Sequence, residues 1–459
     1  MKKISILLVI FLSVIKTWGQ VTKFEIKFSE PLAVFVFVEN LSANYPDNPF
    51  KKLFSSSKFN QDKYKNLIAE FDTLKIDYSY EYSEYPYGQK FPGMTGSLLK
   101  RNLIKCDSLD EFKLSSVGLI PNMELIKLTS ILTCFEPVYQ ELVYQPNKEK
   151  FEKQLNDISS FITSKNIASY FEIGQKFYNS SWDNSIPFEI ALYPLPNSKS
   201  FTAEAFCNNA ASAIPTDFKD YNLLLSIMLH EIFHILYNEQ SLSVKKDIDK
   251  WFNSNPSIHT TYAYLLLNEA VATALGNGYV YEQLSEKEDS TEWYNQKYIN
   301  LMAKKIYPMI KEYIYNHKSL DKSFVDNYIK IYDIDFSYWI SELDNIMTYR
   351  YVLTENSDDF NYINQFFPYK SMTQYEDNIS ENSIEKMMKT PITKIVIISK
   401  DHKNKLQLIK QKFIELKNWN PNCKIDFTYS VFIADKTYLT IINSVQNKTS
   451  KQIETLTIK

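Results

Sequence analysis

Arginine is almost missing from this chain. Of 459 residues only Arg101 and Arg350 carry a guanidinium, and lysine supplies the rest of the 51 basic residues. Against 54 acidic residues the formal net charge is −3, too near neutral to offer the basic surface a nucleic-acid partner requires. Glycine is scarce too, with eight in the whole chain, which argues against a loop-rich or repeat-turn architecture, and no internal repeat is visible. The four cysteines, Cys106, Cys134, Cys207 and Cys423, form no close C-x-x-C pair, which excludes a thiolate zinc site. Ordinary buried thiols and disulfides both stay open for them. Beyond the first residues no segment is apolar enough to cross a bilayer, so no stable membrane insertion is expected.

What is present is core material. With 44% hydrophobic and 15% aromatic residues, the chain can bury a sizeable interior. Lys2 and Lys3 precede an apolar run from Ile4 to Ile15. That pattern reads as a secretory signal peptide over residues 1–19, and the mature chain is expected outside the cytoplasm, periplasmic or secreted.

The remaining pattern predicts a β-rich start followed by a helical region (20–180), a catalytic region (181–350), a polar linker (351–390) and a small C-terminal α/β module (391–459). Lys23–Phe28 and Leu32–Val38 read as strands, and so do Pro187–Tyr193 and Phe201–Ile214. Helical periodicity marks 218–239, 260–275, 291–317 and 321–347. The tyrosine-rich stretch Tyr78–Tyr87 reads as a surface loop or edge strand. In the last module Lys394–Ile398, Lys424–Tyr429 and Tyr438–Asn443 read as strands around a helix at 403–417.

The chemistry concentrates in Leu229-His230-Glu231-Ile232-Phe233-His234-Ile235, inside a run free of Gly and Pro, with Asp217 and Asp220 as candidate caps. Four residues apart on a helix, His230 and His234 share one face, and two such imidazoles reach a single zinc ion. Glu231 lies about 100° round the helix, beside the metal and free to act on its bound water. With five histidines in the chain, roughly 0.006 chance matches to HExxH are expected. Burying two histidines and a carboxylate unpaired in so apolar a segment is costly, which again favours a metal.

A catalytic zinc needs a third protein ligand and an open position. Tyr237 and Gln240 stand where a third histidine site after HExxH would place glycine and histidine. Downstream, Glu269 is the one acid in the apolar, small-residue segment from Thr260 to Tyr279, with Gly276 read as a helix C-cap. A carboxylate there calls for a cation: the metal, or else a lysine or a helix end.

At these residues the chain resembles the gluzincin zinc peptidases. His230-Glu231-x-x-His234 and Asn268-Glu269-Ala270 carry the likeness, over about 190–280. It implies an α+β fold: a mainly helical zincin-like metallopeptidase domain with a small β-sheet lobe. It also implies Zn²⁺ held by His230, His234 and Glu269, with Glu231 as general base and a peptide or protein as substrate. Two features set the chain outside the thermolysin family proper: the long interval between His234 and Glu269, and Thr273 where that family has an aspartate supporting a histidine ligand. An inactive, metal-stabilised binding or scaffold protein is the alternative reading.

Two further roles are expected. The strand near Phe201–Ile214 could hold an extended peptide by backbone pairing. Arg350, or a nearby tyrosine in Tyr349-Arg350-Tyr351, is a candidate donor to an oxyanion. His259, His317 and His402 are expected on the surface.

Overall fold

A computed structural model describes residues 21–90, 93–446 and 448–456, so the signal-peptide reading of residues 1–19 lies outside the described residues. The architecture is α+β and mainly helical, with two principal sheets. Among the described residues no helix is long and apolar enough to cross a membrane.

In the first sheet, β1 (Phe24–Lys27) pairs parallel with β2 (Phe188–Pro194). Strand β2 in turn pairs parallel with β4 (Asn209–Ile214), and β3 (Glu204–Phe206) closes the edge antiparallel to β4. Side chains alternate across a strand. Phe188, Ile190 and Leu192 therefore enter one core, while Ala191 and Tyr193 enter another. The sheet is thus covered by helices on both faces, which is why β2 and β4 read as nearly unbroken apolar runs.

The second core is built largely by α1 (Glu30–Leu41), which overturns the expectation of a strand at Leu32–Val38. All seven of those side chains are buried, so the run lacks the amphipathic signature of a surface helix. The ends decide the conformation: the Ser29 hydroxyl caps the Leu32 amide at 3.3 Å, and Pro31 sits in the first turn, where its fixed φ suits a helix start.

In the opposite core lie α2 (Tyr221–Asn238), α3 (Leu242–Ser254) and α4 (Thr260–Thr273), of which α2 and α4 carry the site. Of the two candidate caps, Asp220 takes the role, accepting from the Leu223 amide at 3.0 Å. Beyond α4 the chain does not stop at Gly276; it continues with π-helical winding through Ala274–Val280.

The stretch 351–390 is not a linker. The second sheet is ordered β8 (Phe427–Phe432), β9 (Tyr438–Asn443), β7 (Thr393–Ile398), β5 (Tyr349–Leu353), β6 (Met372–Glu376), and it is parallel except for β8. The module therefore begins at Tyr349 instead of residue 391. Its early half looked polar because β6 is a half-exposed edge strand and the helices beside it, Asp358–Phe366 and Glu381–Met388, are short. Nor is it merely appended. Val352, Ile395, Ile397 and Ile442 join the core that holds α2 and α4, and the Tyr262 hydroxyl meets Thr393 Oγ1 at 2.9 Å.

Within the tyrosine-rich stretch only Ser79–Tyr80 forms a strand, paired with Gly93–Met94. Its far end is pinned to the site helix: Tyr237 OH donates to Gln89 Oε1 at 2.7 Å, and Lys90 Nζ donates to the Asn238 carbonyl at 3.2 Å. All four cysteines are free thiols.

Candidate metal centre

One turn apart on α2, His230 and His234 turn their Nε2 atoms toward each other at 3.2 Å. From α4, Glu269 brings Oε2 to 3.8 Å from His230 Nε2 and 3.6 Å from His234 Nε2. Three lone-pair atoms this close in a buried setting repel unless a proton or a cation lies among them.

Their spacing suits an ion. In a triangle with sides of 3.2, 3.6 and 3.8 Å, the point equidistant from the corners lies about 2.1 Å from each, the usual metal–ligand length. Glu269 Oε2 is buried and has no hydrogen-bond donor, which is the other mark of a missing cation. Two imidazoles and a carboxylate form a donor set that zinc and its first-row neighbours accept. These three residues can therefore hold a metal ion.

Neighbouring groups aim the ligands. His234 Nδ1 donates to Asn268 Oδ1 at 3.0 Å, which leaves the Nε2 lone pair free for an ion. Because Asn268 immediately precedes Glu269, α4 supplies both a ligand and the brace for another. His230 is braced differently. Its ring bonds to the backbone of Ala272, while Oγ1 of the buried Thr273 has no hydrogen-bond partner. Steric packing adds to this, because a Cβ on Gly276 would sit 2.6 Å from His230 Cβ and 2.8 Å from its Cα. Glycine lets the π-helical turn press directly on the backbone of the ligand, which explains why Gly276 is not a C-cap.

The electrostatics of the three ligands show the same demand for positive charge. Burial depresses His230, helped by the neighbouring His234, to about 3. Burial would also depress His234, but the Glu269 carboxylate reverses this and raises it to about 9. Glu269 would be raised by burial, yet His234 pulls it down to about 2. Burial lifts Glu231 to about 7 against the opposing charge of His234. A proton on His234 thus occupies the role an ion would take.

Glu231 lines a cavity of about 480 Å³ together with His230, Phe201, Ala203 and Tyr294. Tyr294 stacks obliquely against His230, with ring centroids 5.8 Å apart, and its hydroxyl lies between the Glu269 carboxylate and the Tyr369 hydroxyl. Sequence reasoning missed Tyr294. The available signal was the pair Trp293-Tyr294, two large aromatics in the otherwise polar segment 285–297.

Arg350 is not at this cavity. It is fully buried in β5, where its guanidinium donates to the Met347 carbonyl at 2.7 Å and to Asn364 Oδ1 at 2.6 Å, with longer contacts to the Tyr369 carbonyl and Tyr375. Tyr349 and Tyr351 are buried beside it. With its donors occupied by its own module, Arg350 has none left for an oxyanion, which corrects the expectation. Of the other histidines, His317 is exposed, whereas His259 is half-buried against Asp333 at 2.7 Å and His402 against Asn443 at 2.8 Å. A search of family models, curated proteins and solved structures found no match to this chain.

Proposed function

We propose that this chain is an exported zinc metallopeptidase in which His230, His234 and Glu269 hold the ion and Glu231 is the general base. The reading rests on one observation: three donor atoms from two helices converge on a common point, with the Glu231 carboxylate alongside in an open cavity. Zinc at that point would polarise a scissile carbonyl and acidify its bound water. Glu231 takes the proton of the attacking water and returns it to the departing amine. Tyr294, in the same cavity, would donate a hydrogen bond to the oxyanion on turning its hydroxyl from the Glu269 carboxylate. Among the described residues strand β3 has a strand partner only on its β4 side, which leaves its outer edge to pair with an extended peptide running toward Phe201 and Ala203.

Mature protein is expected to bind about one zinc per chain. Glu231→Gln should retain the metal and lose about 10²- to 10⁴-fold in kcat/KM on a peptide library. Folded protein that takes up no metal would sink the proposal. Metal-loaded wild type that cleaves nothing would instead leave the scaffold reading. N-terminal sequencing of exported protein should start near residue 20.

A further inference from the structure

A second cavity, of about 240 Å³, reaches the metal centre from the Asn268 and Glu269 side. It lies where three parts of the chain meet: the end of the tyrosine-rich loop, helices α2 to α4, and the turn between β8 and β9. That volume accommodates a side chain and not merely a water or two.

The charges around it can be assigned in turn. Lys436 is fully engaged, its Nζ donating to the Asn255 carbonyl at 3.0 Å, the Ser257 carbonyl at 2.7 Å and Thr260 Oγ1 at 2.9 Å. Asp435 is paired with the buried Lys394. Glu269 belongs to the metal. Asp249 is left over: its one hydrogen bond is from the Asn253 amide at 2.9 Å, and no cation pairs with it among the described residues.

The walls next to that carboxylate are aromatic. Phe252 and Tyr264 stack with centroids 4.3 Å apart, and Tyr87 and Tyr237 complete the lining. Ring faces attract cations, and they do so more strongly where water is excluded. Tyr264 precedes Glu269 by five residues on α4, about 7–8 Å along the axis, which is close to the reach of an extended lysine side chain.

We propose that this cavity is the specificity pocket of the peptidase and takes a positively charged group of the substrate, with Asp249 as its counter-charge. The proposal rests on the peptidase reading for its location beside the scissile bond. An alkylammonium could come from a lysine side chain or from a free amino terminus, and the test separates the two.

The test uses the full mature chain loaded with zinc and peptides differing only at one residue, lysine or norleucine, each with an acetylated or a free amino terminus. With acetylated peptides kcat/KM should favour lysine by about tenfold or more, as a charged hydrogen bond implies. In Asp249→Asn that ratio should fall toward unity, and Asp249→Glu should restore part of it. If only the free terminus confers the advantage, and Asp249→Asn abolishes it, the pocket takes the terminal amine. No advantage in wild type from either lysine or a free terminus, or an advantage unchanged in a folded Asp249→Asn protein, overturns the proposal. The same peptides bound to zinc-loaded Glu231→Gln protein give a readout free of turnover. A preference there for lysine or for a free terminus upholds the pocket even if wild type cleaves nothing, and equal affinities for all four peptides reject it.

Discussion

Two buried polar clusters stand in contrast. Around Arg350 a fully buried guanidinium has its donors met by carbonyls, an amide and a phenol of its own module. Around His230 the ligands are buried or half-buried, yet Glu269 Oε2 lacks a hydrogen-bond partner, and three ligand atoms point at one another across 3.2–3.8 Å. The first arrangement is complete, and the second is complete only with something added. Burial of a charged residue therefore does not mark a functional site; ligand atoms converging on one point do.

Variants can break this contrast from either side. The largest effect on stability is expected at Arg350. Arg350→Met should cost about 3 kcal/mol or more in urea unfolding, because Asn364, Tyr375 and the Met347 carbonyl lose a buried donor. Metal content should not change, and a loss of zinc would show that the two clusters are one. A smaller effect is expected at Asn268. Removing the acceptor that orients His234, as in Asn268→Ala, should weaken metal binding by about 10- to 100-fold in a chelator competition, with the fold intact.

A pH-dependent effect concerns Lys245, buried with its ammonium on the Gln89 and Tyr237 carbonyls and lowered to about 7 by burial and then by Lys90. Unfolded, this lysine titrates near 10.4, so between about pH 7 and 10 the unfolded chain binds the extra proton. Stability should therefore rise with pH across that window, by up to about 1.4 kcal/mol per unit. Lys245→Met should flatten the rise, and an unaltered slope would reject this assignment.

Legibility followed the range of the interactions involved. The ligand helices could be read because His230, Glu231 and His234 sit within four residues and helical geometry alone relates them. Glu269 could be read as the only acid in an apolar segment. Tyr294 could not, since nothing local connects a loop residue to a helix more than fifty residues earlier. The strands β5 and β6 were hidden for a similar reason: they pair in parallel across a connection, so no turn signal joins them. At Leu32–Val38 uniform burial erased the periodicity that tells helix from strand.

By itself the sequence determined that two imidazoles and a carboxylate share one end of a core helix, and that a lone acid follows on the next, because the periodicity of an α-helix is a property of the local chain. Only the tertiary structure decided that Glu269 meets those imidazoles, that Gly276 presses on His230, that Tyr294 rather than Arg350 stands at the cleft, and that the C-terminal module helps wall a pocket at the centre. Each of those depends on which apolar faces pack together, and contacts between distant segments carry no period for the sequence to display.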